Sequence, residues 1–271
     1  MLNNDDFVKR VKSFFDSFAQ DYNLLYPDWE KINSQISMGI DRFINTKKLK
    51  VNKILDLGSG TGIGAIGLSE LGYTVTSLDI SSEMVKVLSQ TANKKNIPIN
   101  TVTGDILKIE SLLTEKYDFI ICRGNTITYL PSLLDIQLAF KKIYDKLNTN
   151  GLFYLGLRDW NEFLLNSGKF IDHFVQTPFG VNKKYDCYYF WLKTPIGLIH
   201  LDVFFYFYNL DNKYTLIDSK KYTVEFFCYS IEDLMQEMKN VGFCNVAVVD
   251  IPEEKMDGEE YTIICGSKND S

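Results

Sequence analysis

The sequence predicts an α/β fold, doubly wound about a mostly parallel seven-stranded sheet, with an inserted small antiparallel β-sheet and an N-terminal helical lid. Three observations carry this expectation. Between Lys53 and Leu157, apolar runs of strand length alternate with stretches of helical periodicity. Glycine then recurs at every second position from Gly58 to Gly64, directly after an apolar run broken by an acid, the signature of a strand turning sharply into a helix. After Leu157 the composition turns aromatic and β-branched, so a different kind of sheet interrupts the first.

The elements follow in order. Residues 5 to 46 read as helices, with Phe7, Val11, Phe14, Phe15 and Phe18 on one stripe and Ile32, Ile36, Ile40, Phe43 and Ile44 on another. Strand and helix then alternate: Lys53–Leu57, a helix over Ile63–Leu71, Thr74–Asp79, a helix over Ser82–Asn96 capped by Ser81, Ile99–Thr103, Tyr117–Cys122, a helix over Leu133–Leu147 and the strand Leu152–Leu157. Asn150-Gly151 is expected to break the chain between the last two. Residues 167–228 form the insertion, with strands over Tyr185–Leu192, Gly197–Tyr208 and Tyr222–Phe227. The main sheet resumes with a helix over Ile231–Val241 and strands Cys244–Val249 and Tyr261–Cys265. The expected units are therefore an N-terminal helical segment (1–46), the α/β domain (47–166 and 229–271) and the inserted antiparallel β subdomain (167–228).

Composition narrows the partners. A net charge of −6 argues against a polyanion, because nucleic-acid binding relies on clustered Lys and Arg. Cys122, Cys187, Cys228, Cys244 and Cys265 are odd in number, widely spaced and without a C-x-x-C pair, which points to a reducing cytoplasm and to no metal site. The chain has an acidic, polar start and no run of 18 apolar residues, so neither a leader nor a membrane span is expected. Only four of 29 basic residues are arginine, at 10, 42, 123 and 158, so an arginine in an apolar stretch answers a geometric need.

In an open α/β sheet, ligands bind beyond the carboxyl ends of the strands. Asp56, Asp79, Asp105, the run Cys122-Arg123-Gly124-Asn125 and Arg158 all fall there. Gly60 to Ala65 loosely fits a dinucleotide loop, but Asp56 at its mouth would repel a pyrophosphate and attract an ammonium. The run Asp56-Leu57-Gly58-Ser59-Gly60-Thr61-Gly62, with Asp79 ending the next strand, resembles the cofactor motif of class I S-adenosylmethionine-dependent methyltransferases. That resemblance implies a Rossmann-like methyltransferase fold that releases S-adenosylhomocysteine. It implies that the loop of Asp56, Gly58, Ser59, Gly60 and Gly62 underlies the methionine end and that Asp79 is bidentate to the ribose. Ile80, Met84, Gly104, Asp105 and Ile106 then lie at the adenosine end. For Asp105 a helix-capping role is the alternative.

Gly124-Asn125 after the fourth strand and Arg158 after the fifth resemble the glycine and glycine/sarcosine N-methyltransferases; the likeness runs from Phe14 to Leu157, and Asp159-Trp160-Asn161 departs from the family pattern. It implies in-line N-methylation of a small amine or amino acid by positioning, without a dedicated base. Arg158, Asn125 and Tyr26 are the candidate catalytic residues, Arg158 offering a planar fork to a carboxylate. An internal ion pair with Asp159 or Glu162 is the other reading of Arg158. Tyr22, Tyr26 and Trp29 stand where related enzymes place a lid, or else pack as core. Arg123 is assigned to the cofactor, with its partner open among the methionine end, the substrate and Asp79. Phe226-Phe227 replaces a basic residue common in bacterial relatives and leaves room for an amino sugar or small heterocycle instead. His173 and His200 read as structural. A binding protein without turnover is the reading from another class, and the lid and insertion each offer a surface for self-association.

Overall fold

The computed structural model describes residues 4–26, 28–160, 170–171, 177–178, 183–194, 197–210, 215–256 and 259–269. Helices α1 (Asn4–Phe18) and α2 (Trp29–Thr46) flank a short 3₁₀ turn, Tyr22–Leu25. Then follow β1 (Lys53–Leu57), α3 (Ala65–Glu70), β2 (Thr74–Asp79), α4 (Ser82–Lys95), β3 (Asn100–Thr103), α5 (Ile109–Leu112), β4 (Tyr117–Cys122), α6 (Leu133–Lys146) and β5 (Leu147–Leu157). The insertion contains β6 (Phe170–Ile171), β7 (Thr177–Pro178), β8 (Lys183–Lys193), β9 (Leu198–Asn209) and β10 (Thr215–Phe227). After it come α7 (Ile231–Val241), β11 (Cys244–Val249), β12 (Lys255–Met256), β13 (Glu259–Glu260) and β14 (Thr262–Ser267).

The main sheet has the order β11-β14-β5-β4-β1-β2-β3. Its core strands β5, β4, β1, β2 and β3 are parallel, and β14 runs antiparallel between β5 and β11. Strand alternation sorts the side chains between two layers. Ile120, Phe153 and Leu155 pack on Phe140, Ile143, Leu234 and Met238 of α6 and α7. Ile54, Phe119, Ile121 and Tyr154 pack on Ile36, Ile40, Phe43 and Ala65 of α2 and α3. Pairings Leu57↔Leu78, Leu57↔Cys122 and Cys122↔Leu155 bring the carboxyl ends of four strands level, so the residues that follow share one rim.

The second sheet, β10-β9-β8 with short β6 and β7 both against β8, is antiparallel. Its inner face closes a separate core with α1: Phe14 and Phe18 meet Phe205, Val224 and Phe226, and Phe18 stacks on Tyr222 at 4.5 Å. Asn161, Glu162 and His173 lie outside the described residues.

Three expectations about element ends are corrected. The helix expected from Ile63 begins at Ala65, because Gly64 is held at φ +86° while its N–H and that of Gly67 donate to Asn33 Oδ1 on α2, at 2.9 and 3.2 Å. Asn150-Gly151 does not separate helix from strand. The break falls at Leu147, and Asn150, at φ +62°, sits inside β5, where its N–H donates to the Lys268 carbonyl and the Gly151 carbonyl accepts from Lys268 N–H. Finally, β10 starts seven residues before the expected Tyr222, at Thr215. Its first half is exposed, and backbone pairing with β9 rather than burial of an apolar face keeps it extended.

Candidate functional site

The glycine loop leaves β1 and folds back at once, Gly58 and Ser59 N–H both donating to the Leu78 carbonyl at 2.8 and 3.1 Å. Gly58 has φ +69°, and a Cβ there would overlap the Thr126 side chain. The next acid organises the turn. Asp79 Oδ2 accepts from Gly60 N–H at 2.8 Å and Oδ1 from Ser81 N–H at 2.8 Å. Burial pushes Asp79 up to about 6 against the pull of those donors. Burial likewise pushes Asp56 up to about 7; the Arg123 guanidinium opposes the rise and Asp79 adds to it.

These residues line a cleft in two parts that share Tyr22, Gly58, Gly60, Arg123 and Gly124. One, about 790 Å³ including the space open to solvent, is bounded by Asp79, Ile80, Gly104, Asp105, Ile106 and Tyr129, with Val8, Val11 and Phe15 of α1 across it. The other, about 510 Å³, is bounded by Asp56, Ser59, Thr61, Ile63, Tyr26 and Tyr261. The fit to S-adenosylmethionine rests on chemistry as well as size. An acid with both oxygens held by backbone donors faces the larger part, and a second buried acid faces the smaller. Ser59 contributes a buried hydroxyl with no hydrogen-bond partner among the described residues.

Helical segments before the sheet roof this cleft. Asp16 on α1 accepts from Ser81 Oγ at 2.7 Å, and Asn23 Oδ1 accepts from Thr61 Oγ1 at 2.6 Å. Asp21 accepts from Lys220 and Tyr222 of β10, tying the same segment to the insertion.

Most of the sequence candidates meet here, and several take places not foreseen. Tyr22 and Tyr26 line the cleft, but Trp29 does not: its ring lies 5.6 Å from the Lys95 ammonium. Met84 is fully buried in the first turn of α4, its N–H donating to Ser81 Oγ, and Gly62 is buried behind the loop; neither lines the cleft. Asp105 both borders the cleft and caps the turn after it, Oδ1 accepting from Leu107 N–H at 2.8 Å. Asn125 and Arg158 line neither part of the cleft; they are joined to each other, Asn125 Oδ1 accepting from Arg158 N–H at 2.8 Å. The Arg158 guanidinium, 5 % exposed, lies 5.2 Å from the Trp160 ring centre and 5.4 Å from that of Trp191. His200 is on the insertion beside Asp202 and Glu225, at 3.2 and 3.7 Å.

Sequence reasoning missed Val8, the cleft-facing side of Val11 and Phe15, Thr126, Tyr129, Tyr261 and Trp191. Thr126 and Tyr129 carried a local signal, one and four residues beyond Asn125.

A family profile described as a methyltransferase domain matches residues 54–151. The glycine/sarcosine N-methyltransferase of Aphanothece halophytica is 32% identical over 127 residues, which are 46% of this chain and 48% of that one. A solved S-adenosylmethionine-dependent methyltransferase from Clostridium acetobutylicum matches with a TM-score of 0.69 at 16% identity, covering 93% of this chain and 99% of that one. An amino pentose methyltransferase from Micromonospora echinaspora, solved with S-adenosylmethionine bound, matches at 0.70 and 13% identity, covering 93% and 97%. The chain spans about half the length of the curated relatives it matches. Residues 54–151 thus carry a methyltransferase domain, within a fold shared with solved S-adenosylmethionine-dependent methyltransferases.

Proposed function

We propose that the protein methylates the amine of a small, carboxylate-bearing acceptor, similar to glycine or sarcosine, with S-adenosylmethionine as donor. The observation that carries this reading is Arg158: a buried arginine just past β5, its guanidinium near the Trp160 and Trp191 rings and its backbone tied to Asn125. A planar carboxylate matches the edge of a guanidinium fork. The relatives named glycine/sarcosine N-methyltransferase support the same acceptor class.

The bound donor supplies a methyl group on a sulfonium, an electrophile with a good leaving group. The chain's own residues position and exclude water. Asp79 holds the ribose, and Val8, Val11 and Phe15 cover the adenosine end. Arg158 fixes the acceptor's carboxylate, and with its Oδ1 engaged, Asn125 presents its NH₂ to the acceptor. The acceptor amine arrives neutral, its proton having gone to water, so the residues lining the cleft need supply no histidine or other strong base.

One observation favours a second acceptor class. Phe226, buried in the core of the insertion, backs the cleft-lining Tyr129 at 5.5 Å with an apolar ring where the resemblance expects a basic residue, which favours an amino sugar or small heterocycle, and an amino pentose enzyme is among the structural neighbours. The experiment is S-adenosylhomocysteine formation with glycine, sarcosine, amino sugars and heterocyclic amines, with product masses read in the same samples. Methylated glycine or sarcosine supports the first class. Turnover only without a carboxylate moves the acceptor to the second, and cofactor binding without turnover leaves a binding protein.

A further inference from the structure

We infer that Arg123 is the receptor for the cofactor's α-carboxylate and that Gly156 is a glycine because it seats that arginine. This rests on the cofactor reading above and goes beyond it, since nothing so far distinguishes which group Arg123 meets.

The geometry comes from strand alternation. Phe119 and Ile121 of β4 belong to the layer under α2, as does Tyr154 of β5, so Arg123 and Gly156 continue that face past and along adjacent strands. A Cβ placed on Gly156 would lie 3.3 Å from Arg123 Cγ and 3.1 Å from Ile263 Cδ1. Both contacts are tighter than ordinary packing. The missing side chain is therefore the space in which the arginine stem lies across β5, bounded on the other side by β14. Glycine inside a strand weakens it and needs such a reason.

That seat delivers the guanidinium to the junction of the two parts of the cleft, which it lines on both sides. Asp56, on the same face of β1, is close enough for Arg123 to oppose its protonation. One buried acid and one cation at the smaller part of the cleft form a pair of opposite charges matching a zwitterion. The ammonium goes to Asp56, and the carboxylate to the fork of Arg123. A cation here would serve poorly if its task were the sulfonium, which it repels.

The test compares two ligands that differ only in the carboxylate: S-adenosylmethionine and its decarboxylated form. Their Kd values are measured by calorimetry on the full chain. The unaltered protein is expected to prefer the carboxylated ligand by about 30-fold. Arg123→Met is expected to bring the ratio to within about 3-fold by weakening S-adenosylmethionine alone, and Arg123→Lys, which keeps a point charge but not the fork, to leave it between. Gly156→Ala, with the arginine retained, is expected to lower the ratio about 3- to 10-fold by displacing the stem. An unchanged ratio in Arg123→Met overturns the assignment, as does equal weakening of both ligands, which makes Arg123 a partner of Asp56 only. An unchanged ratio in Gly156→Ala overturns the seating role. Should Arg123→Met fail to fold, the Lys variant decides by the same ratio. Failure of the unaltered protein to bind S-adenosylmethionine at all rejects the cofactor reading instead.

Discussion

The two sides of the cleft are built from different materials. On the sheet side, acids at strand ends are fixed by backbone N–H groups: Asp79 by Gly60 and Ser81, and Asp105 by Leu107. On the side of α1, the rings of Phe15 and Tyr129 face the cleft, with Phe226 of the insertion packed on Tyr129. Backbone-held acids recognise one polar ligand and tolerate little change. Ring surfaces set shape and dryness, and can be refitted to another acceptor without disturbing the first side.

The largest expected effect tests that division directly. Asp79→Ala should weaken S-adenosylhomocysteine binding about 100- to 1000-fold by calorimetry, since it removes the acceptor that anchors the loop through Gly60 and Ser81 N–H and, on the proposed reading, the carboxylate that meets the ribose. Arg158→Ala should lower kcat/KM for a carboxylate acceptor roughly 30- to 100-fold while leaving the Kd of S-adenosylhomocysteine unchanged. A shared loss in both would mean that the two sides are one unit.

Third is pH. With Asp56 pushed up to about 7 and Asp79 to about 6 by burial, cofactor affinity should fall about tenfold between pH 7 and pH 6, as both acids take up protons. Stability moves the other way. The native state holds protons that the unfolded chain releases near pH 4, so the Tm of the free protein should decline as pH rises from about 4 to about 7. Asp56→Asn should remove the upper part of both trends.

Smaller effects probe the helices that precede the sheet. Asn33→Ala, which orphans the buried Gly64 and Gly67 N–H groups, should cost about 1–3 kcal/mol in denaturant unfolding. Asp16→Ala, which frees α1 from Ser81, should speed S-adenosylhomocysteine release about 3- to 5-fold in stopped flow.

The same contrast governs what the sequence reveals. Strands β1, β2 and β4, with α7 and β11, stand where their apolar periodicity places them, and the acids at the strand ends are legible because strand, turn and acid are contiguous. Trp191 is not, because it reaches Arg158 only through the fold of a distant sheet. Val11 and Phe15 read as one apolar stripe although α1 divides its ring and methyl surfaces between the insertion and the cleft. The start of α3 was misplaced for a similar reason. Its cap is supplied by Asn33, some thirty residues upstream, where no local pattern records it.

That borrowed cap has a consequence for modularity. The stretch matched as a methyltransferase domain begins at residue 54, yet the amide that finishes its glycine loop belongs to α2. A fragment trimmed to the matched stretch would carry every residue of the loop motif and still lack the acceptor for two of its N–H groups. The heritable unit recognised by comparison and the physical unit able to hold the loop in shape are thus of different length. Where recombination or trimming separates them, the motif survives in the text of the sequence while the turn it encodes loses its keystone.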